Sequence, residues 1–314
     1  MQREIAIDIL GIGTVAVDDL LHVDHYPPPD QKQQVNRTVR QLGGLIGSAL
    51  AAASRLGARC AYAGVLGSDE LSSSVKGGLK EVGVDCSRVI ERADARPIHS
   101  VIVADEKAQT RNIFFDLSGL QPLPTKAINK ELIATSKVLL IDQFGTEGNV
   151  AAARLARELG IPVVADMEWL DAPQIDELMC VVDHLIVPHA FATDVTGEQD
   201  PIRAVAQLHD RHERVCTAVT CGSEGCYYLT DDGVPKVRHQ SACQITAMET
   251  TGCGDVFHGA YAVALASGCE VSACILEATA AAAVYASRPS GWQHLPGRNE
   301  TASMIERMRT KQSP

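Results

Sequence analysis

A glycine-rich segment points most directly to the architecture of this chain: Glu249-Thr250-Thr251-Gly252-Cys253-Gly254-Asp255-Val256-Phe257-His258-Gly259. Two glycines flank one small residue directly before an apolar run with helical spacing, which predicts a tight turn that opens a helix. The first amide N–H groups of a helix lack partners within it and lie at the positive end of its dipole. The turn therefore predicts an anion hole formed by the amides of 252–255. Its carboxylate, Asp255, either accepts a proton or caps the helix.

Short apolar runs alternate with longer amphipathic stretches through most of the chain. This rhythm is typical of a parallel β-sheet whose strands are connected by helices. Strands are predicted at 5–11, 59–67, 137–142, 161–166, 183–187 and 215–221. Helices are predicted at 43–57, from a cap at Asp69 to 82, and at 147–159, and a hairpin is predicted from the runs 225–229 and 234–239. We therefore expect one α/β domain over residues 1–314.

Two segments, 15–40 and 96–117, break this rhythm. Both carry residues that alternate in polarity, the first contains three prolines at 27–29, and neither has the length for a crossover helix. We expect them to form a small β-sheet beside the large domain. Such a sheet suits a lid over an active site, or equally a flap that pairs two subunits.

The composition excludes several classes of protein. Hydrophobic residues make up 46% of the 314 residues, which excludes a mainly disordered chain. The 28 Lys and Arg against 39 Asp and Glu give a net charge of −11, which argues against a nucleic-acid partner. The apolar run before Val17 is too short and too interrupted for a signal peptide or a membrane span, so no membrane association is expected. Ten cysteines without C-x-x-C spacing predict free thiols in the cytoplasm.

The segment 249–255 resembles the D-T-x-G-A-G-D signature of the ribokinase-like carbohydrate kinases, the phosphofructokinase-B type family. It departs from the signature at Glu249, in place of the first Asp, and at Cys253, in place of the Ala. The resemblance implies a Rossmann-like three-layer αβα fold with a small β-sheet lid. It implies transfer of the γ-phosphoryl group of ATP to a sugar hydroxyl. It also implies that Asp255 is the catalytic base and that the amides of 252–255 form the anion hole.

A second resemblance concerns the acceptor site. Gly43-Gly44 match the family motif G-G-x-x-x-N, with Ser48 in place of the Asn, and Asp18 matches the carboxylate that binds sugar hydroxyls. The segment 11–16 also fits the dinucleotide fingerprint G-x-G-x-x-A of a dehydrogenase, which needs a helix directly after the loop. Alternating residues and three prolines follow instead, and they leave too little room for that helix.

A third resemblance concerns the nucleotide. The segment 220–225 resembles the family loop T-x-G-x-x-G, although an ordinary turn would have the same composition. The resemblance implies that ATP contacts a set of small residues, namely Thr220, Gly222, Ser223, Gly225 and Thr251.

The family motif N-x-x-E, which helps to place Mg²⁺, is absent, because His189-Ala190-Phe191-Ala192 occupies its position. Asp166 and Glu168, at the end of another predicted strand, are the candidate metal residues, and Glu224 is an alternative. A monovalent cation is a further expected cofactor of this fold.

The sequence leaves the acceptor open. The segment 250–266 looks similar to the sulfofructose kinase branch, and Lys32 and Arg111 are candidates to bind an anionic substituent, with Arg37 and Arg40 as alternatives. Fructose-type sugars, sulfo- or phospho-sugars and keto sugar acids are all candidates. A nucleoside kinase of the same fold and a non-catalytic sugar- or nucleotide-binding member are the alternatives to a sugar kinase. The expected assembly is a homodimer through the lid.

Overall fold

The structure, a computed structural model, describes residues 6–108, 110–234 and 236–312. The strands of this part of the chain are β1 (Ile9–Ile12), β2 (Ala16–Val23), β3 (Arg37–Gly43), β4 (Cys60–Ala63), β5 (Val65–Leu66), β6 (Ile90–Glu91), β7 (Ile98–Asp105), β8 (Thr110–Asp116), β9 (Val138–Asp142), β10 (Val163–Asp166), β11 (His184–Pro188), β12 (Cys216–Thr220), β13 (Cys226–Thr230) and β14 (Arg238–Gln240). Its helices are α1 (Leu45–Arg55), α2 (Glu70–Glu81), α3 (Lys130–Ile133), α4 (Thr146–Glu158), α5 (Ile175–Cys180), α6 (His189–Thr196), α7 (Pro201–Asp210), α8 (Cys253–Ala266), α9 (Val271–Ala286) and α10 (Arg298–Gln312).

The central sheet has the strand order β14-β13-β12-β11-β10-β9-β1-β4. The six strands from β12 to β4 are parallel, and β13 and β14 continue the sheet in antiparallel fashion. Successive side chains of a strand point to opposite faces, so a strand buried on both faces reads as a continuous apolar run. In β9, for example, Val138 and Leu140 enter one core and Leu139 and Ile141 enter the other.

Helices cover both faces of this sheet. The apolar sides of α1, α2, α8 and α9 fill one core, and those of α3 to α7 fill the other. The last helix, α10, packs on the outer side of α9 through Met304 and Met308. This three-layer arrangement confirms the predicted Rossmann-like αβα fold.

A second, four-stranded sheet has the order β3-β2-β7-β8, and we call it the small sheet. Its strands come from the predicted segments 15–40 and 96–117, except that β3 continues to Gly43. The outer strand β8 is exposed along its whole length, including Ile113, Phe114 and Phe115. The side chain of Phe115 makes an edge contact with Trp169 of the large domain, with ring centroids 6.1 Å apart.

Most predicted boundaries differ from the structure by one or two residues, and three elements differ more. The predicted strand 59–67 is divided at Gly64, and its second part, β5, pairs with β6 in a separate two-stranded sheet. The hairpin after β13 begins its second strand at Arg238 rather than 234, because Cys226 pairs with Gln240 and Tyr228 with Arg238. The predicted strand 5–11 begins at Ile9, and residue 5 lies outside the described residues.

Two further observations concern expectations from composition. The ten cysteines are free thiols. Within the described residues, none of the helices combines the length and the apolar character that a membrane crossing requires.

Candidate active site

The predicted site residues meet at one edge of the central sheet. Parallel neighbours have their carboxyl ends at the same edge, which is where ligands bind in open α/β sheets. The loops that follow β1, β9, β10 and β12 all leave from this edge, and α8 begins there, in contact with β1, β9 and β10.

The glycine-rich turn (residues 249–255) is held together by the side chain of Glu249. Its Oε1 atom accepts hydrogen bonds from the Thr250 amide at 3.0 Å, the Thr251 amide at 3.1 Å and the Thr251 hydroxyl at 2.8 Å. Glu249 thus organises the turn although it departs from the family signature. The Thr251 hydroxyl, which we expected at the nucleotide, is engaged within the turn.

The helix α8 begins at Cys253, directly after Gly252 in a left-handed conformation with φ +83°. The Cys253 amide donates to the Thr250 carbonyl at 3.3 Å, so it is already used. The amides of Gly252, Gly254 and Asp255 have no acceptor among the described residues. The anion hole expected from the sequence therefore has fewer available donors than we predicted.

The space in front of these amides is open. A Cβ atom added at Gly254 would meet no heavy atom within 4 Å, and Gly254 has ordinary helical geometry. Gly254 is therefore not required by the packing of the protein itself. The empty space beside unpartnered N–H groups is suited to an anionic ligand.

Carboxylates surround Asp255. Burial raises the pKa of Asp255 well above its ordinary value, and the charges of Asp166, Glu168 and Asp18 raise it further. A hydrogen bond from the Ser48 hydroxyl acts in the opposite direction and lowers it. A carboxyl group with a raised pKa is a stronger base when it is ionised.

A buried acid, Asp142, ends β9 at the same edge, where the sequence leaves a choice between a capping and a functional role. Its Oδ2 atom accepts hydrogen bonds from the amide and the hydroxyl of Thr14, both at 2.7 Å, and its Oδ1 accepts from the Phe144 amide at 2.9 Å. Burial raises its pKa to about 7. Asp142 therefore ties the end of β9 to the loop after β1.

The two candidate metal residues differ in exposure. Asp166 is buried, and its Oδ2 atom lies 3.0 Å from Nδ1 of His258 without a hydrogen bond. Glu168 has an exposed side chain. Partial desolvation of its carboxyl group and the charge of Asp166 raise its pKa to about 7. No group of three or more His, Cys, Asp or Glu side chains in the described part of the chain is arranged to hold a metal ion. These two carboxylates alone do not form a complete metal cage.

The acceptor-site residues lie where β2 and β3 meet α1. A Cβ atom at Gly43 would lie 2.3 Å from Oδ2 of Asp18, so the glycine makes room for this carboxylate. Gly44 has φ +86°, and a Cβ there would meet the Val15 backbone at 2.5 Å. Ser48 is buried and accepts a hydrogen bond from Nε1 of Trp292 at 3.1 Å. Both glycines are required by close approach of other atoms.

The loop after β12 forms a tight turn. The Cys221 amide donates to the Gly225 carbonyl at 2.7 Å, and a Cβ at Gly225 would lie 2.1 Å from the Gln240 carbonyl oxygen. A Cβ at Gly222, in contrast, would meet nothing within 4 Å, and Ser223 is exposed. The side of the loop at Gly222 and Ser223 is therefore open to a ligand, whereas Gly225 serves the packing of the loop.

A cavity of about 670 Å³ separates the small sheet from the large domain. Its lining residues come from both bodies: Leu20, His22, Arg37, Val39, Gln41, Ala104, Asp105, Glu106, Thr110, Arg111, Ala247, Met248, Glu249, Thr250, Pro289, Ser290, Gln293 and His294. Lys32 lies outside it, in the exposed connection between β2 and β3.

The arginines near the cavity differ in their partners. Arg40 binds Asp19 and Glu70, and Arg37 bonds to His22 at 3.0 Å. Arg111 has no hydrogen-bond or ion-pair partner among the described residues, although its charge lowers the pKa values of Glu168 and Cys253. Within the described residues, Arg111 is therefore an unpaired cation whose charge acts on the acid cluster.

His189 stands where the N-x-x-E motif would begin, at the first residue of α6. The sequence predicts a solvated residue at this helix start rather than a metal ligand, but the Nε2 atom is buried without a hydrogen-bond partner among the described residues.

Comparison with known proteins agrees with this architecture. The family pattern described as "pfkB family carbohydrate kinase" matches residues 8–296. The chain is 25% identical over 306 residues to the ribokinase of Haemophilus influenzae, covering 94% of this chain and 97% of that protein. It is 23% identical to the 5-dehydro-2-deoxygluconokinase of Bacillus licheniformis, covering 99% and 98%. The crystal structure of a "putative ribokinase" from Agrobacterium tumefaciens matches with a TM-score of 0.90 and 27% identity, covering 97% of this chain and 99% of that one.

The fold and the family match define an ATP-dependent carbohydrate kinase. The chain belongs to the pfkB family of carbohydrate kinases. This confirms the family predicted from the glycine-rich turn. The similarity to the sulfofructose kinase branch stays a prediction.

Proposed function

We propose that this kinase phosphorylates a sugar that carries an anionic substituent, with Asp255 as the catalytic base. The observation that carries the proposal is the open space at Gly254. There, unpartnered amides and a carboxylate with a raised pKa belong to the same turn. A phosphoryl group beside these amides would place its acceptor hydroxyl within reach of Asp255.

In this mechanism the hydroxyl proton moves to Asp255 as the oxygen attacks the γ-phosphorus of ATP. The bond from that phosphorus to the β,γ-bridging oxygen breaks, and ADP leaves. A base with a raised pKa is closer to the ideal for this transfer, and general base catalysis supplies about 10²–10⁴-fold. The amides of Gly252, Gly254 and Asp255 stabilise the charge that develops on the migrating phosphoryl oxygens. Positioning and electrostatics supply most of the remaining acceleration in phosphoryl transfer.

The nucleotide site is proposed along the open side of the loop after β12. Gly222 and Ser223 contact the phosphates there, and Thr220 closes the end of the strand. Thr251 and Gly225 act indirectly, because the first is bonded to Glu249 and the second packs against Gln240. The ligand-facing set is therefore smaller than the sequence resemblance implies.

Mg²⁺ would neutralise charge on the phosphate oxygens. Asp166 and Glu168 are the proposed residues on its side of the cleft. Because they do not complete a cage of three ligands, they would act through bound waters, and Glu168 has the exposed carboxylate. A monovalent cation stays an expectation of the family resemblance.

The acceptor is proposed to bind between Asp18 and Arg111. The Asp18 carboxylate is suited to adjacent sugar hydroxyls. The guanidinium group of Arg111, which has no partner in the described part of the chain, is suited to a sulfonate, phosphate or carboxylate on the acceptor. A fructose-type sulfo- or phospho-sugar and a keto sugar acid both have this chemistry.

The small sheet is proposed to act as a lid, since it closes one side of the cavity. Exclusion of water by such a lid would limit ATP hydrolysis as a competing reaction. The exposed apolar side chains Ile113 and Phe114 on β8 favour pairing of two copies through this sheet. We therefore propose a homodimer.

The test is the release of ADP from Mg-ATP with a panel of acceptors: fructose, fructose phosphates, sulfofructose, keto sugar acids, ribose and nucleosides. We expect an anionic sugar to raise the rate about 100-fold or more above the ATP hydrolysis background. Preference for a nucleoside would make this chain a nucleoside kinase. A flat panel with normal ATP binding would favour a non-catalytic binding protein.

A further inference from the structure

The indole of Trp292 is inserted between α1 and α2. It is 7% exposed, and it lies in a short 3₁₀ turn (Trp292–His294) that follows α9. Gly47 of α1 leaves room for the ring, because a Cβ there would be only 3.3 Å from its Cζ2 atom. A Cβ at Gly78 of α2 would be in ordinary contact with the ring, 3.5 Å from its Cζ3 atom. The indole therefore packs closely against both helices.

The residue before this turn, Gly291, is held by Tyr285 of α9. The Gly291 amide donates a hydrogen bond to the Tyr285 hydroxyl at 2.8 Å, and the Tyr285 ring packs 3.4 Å from the position of a Cβ at Gly252. Tyr285 of α9 thus connects the turn that carries Trp292 with the glycine-rich turn.

The single polar atom of the indole, Nε1, donates to Oγ of Ser48 at 3.1 Å. Ser48 is itself 7% exposed. A hydroxyl that accepts one hydrogen bond still has its own proton to donate. The helices α1 and α8 pack against each other, and a hydrogen bond from this hydroxyl lowers the pKa of the Asp255 carboxyl group.

We propose that Trp292 and Ser48 form a hydrogen-bonded relay that orients the Asp255 carboxylate, so that Ser48 is a positioning residue and not a contact to the acceptor. The proposal rests on the assignment of Asp255 as the base. It replaces our expectation that Ser48 binds the sugar, because the buried hydroxyl accepts from Trp292 and directs its only proton to Asp255.

The surroundings of Asp255 show why such a relay is needed. The side chains of Asp18, Asp166 and Glu168, which face it, are carboxylates, and they repel its charge. A donor on one oxygen of Asp255 holds the group in place and leaves the second oxygen for the acceptor proton. Catalytic groups keep their geometry only when neighbouring side chains lock it.

The test compares four variants of the full chain: Ser48→Ala, Trp292→Phe, the double variant and Ser54→Ala. Trp292→Phe keeps an aromatic ring in the niche and removes the N–H group. Ser54→Ala is the matched control, because it removes a hydroxyl from the same helix, where Ser54 donates to the Val82 carbonyl at the far end. Thermal melting of each variant establishes that it is folded.

We expect kcat to fall about tenfold in each single variant, with both KM values changed less than about twofold. The effects of residues that act as one unit are not additive. We therefore expect kcat of the double variant to be no lower than kcat of the more impaired single variant. Ser54→Ala keeps the native kcat. A raised KM for the acceptor with unchanged kcat in Ser48→Ala would assign Ser48 to the acceptor instead. Additive losses would also overturn the relay.

A second readout requires no acceptor. The fluorescence of Trp292 is obtained as the difference between the native protein and Trp292→Phe. We expect the wavelength of maximum emission to shift in Ser48→Ala and to stay unchanged in Ser54→Ala. An unchanged wavelength in both variants would contradict the hydrogen bond from Trp292 to Ser48. If the native protein phosphorylates no acceptor, the proposed function is wrong. If the native protein is active and kcat of Ser48→Ala equals the native value, the relay alone is wrong.

Discussion

Nδ1 of His258 lies 3.0 Å from Oδ2 of Asp166, and both side chains are buried. The same nitrogen lies 2.8 Å from the carbonyl oxygen of Gly254, and Nε2 lies 3.1 Å from the carbonyl oxygen of Ile186. One imidazole ring thus connects the first turn of α8 with the end of β10 and the middle of β11. It fixes the glycine-rich turn relative to the acid cluster.

Replacing His258 by Leu removes the imidazole that bonds to the carbonyl groups of Gly254 and Ile186 and that lies beside the buried Asp166 carboxylate. Because buried acceptors and a buried carboxylate are costly without hydrogen bonds or opposite charge, we expect the free energy of unfolding to fall by about 3 kcal/mol. Urea denaturation measures this change. The control is His25→Leu at an exposed position, which we expect to change stability by less than about 0.5 kcal/mol. Equal effects of the two substitutions would contradict this role of His258.

The space at Gly254 leads to a second prediction. Gly254→Val has no protein atom to displace, so we expect a native melting temperature together with a loss of phosphoryl transfer of about 100-fold or more. Gly77→Val is the matched control, because Gly77 is also helical, exposed and without a neighbour at its Cβ position. If both variants retained activity, the ligand would have to bind elsewhere.

Arg111 tests the class of acceptor. In Arg111→Gln we expect KM for an anionic acceptor to rise about tenfold or more, since a charged hydrogen bond is lost, while KM for ATP is unchanged. Lys32→Gln gives the contrast, because Lys32 lies outside the cavity, and we expect native constants for it. A larger effect at Lys32 than at Arg111 would show that the anion is recognised by the connection between β2 and β3.

Glu168 produces a pH dependence of stability. Its folded pKa, about 7, is above the unfolded value of 4.5, so the folded state holds a proton that the unfolded state releases between these pH values. Its contribution to stability is therefore fully present below pH 4.5 and is lost as the pH rises towards 7.

We expect Glu168→Gln to be more stable than the native protein at pH 7.5 by about 1 kcal/mol, a value reduced because the side chain is exposed. The difference should shrink towards pH 4.5. Burial lowers the pKa of His184 to about 4, so His184 makes stability depend on pH in the opposite direction. This contribution is the same in both proteins and cancels when Glu168→Gln is compared with the native protein. If the stability difference between Glu168→Gln and the native protein increased as the pH fell, it would contradict a raised pKa of Glu168.

Local sequence patterns predicted the elements and the glycine-rich turn. The start of α8 at Cys253 follows from adjacent glycines, and the central sheet follows from runs such as 138–142, because burial on both faces leaves a continuous apolar pattern. The cap of α2 was equally local, since Asp69 accepts from the amides of Leu71 and Ser72.

The supporting contacts could not be predicted from local sequence. Trp292 and Ser48 are separated by 244 positions, and Thr14 and Asp142 by 128. No periodicity or motif connects such pairs, because only the assembled fold brings them together. The Cys253 amide was misjudged for a different reason. Its bond to Thr250 depends on the bend that Glu249 imposes on the turn.

The role of Asp255 is tested most directly by Asp255→Asn, assayed for phosphoryl transfer to the best acceptor of the panel. We predict a native melting temperature, native ATP binding and a loss of transfer of about 10²–10⁴-fold, because the amide cannot accept the hydroxyl proton. Asp183→Asn, a half-buried acid at the opposite edge of the sheet with a raised pKa, is the control and should keep native turnover. Turnover of Asp255→Asn within about tenfold of native would contradict the assignment of Asp255 as the base.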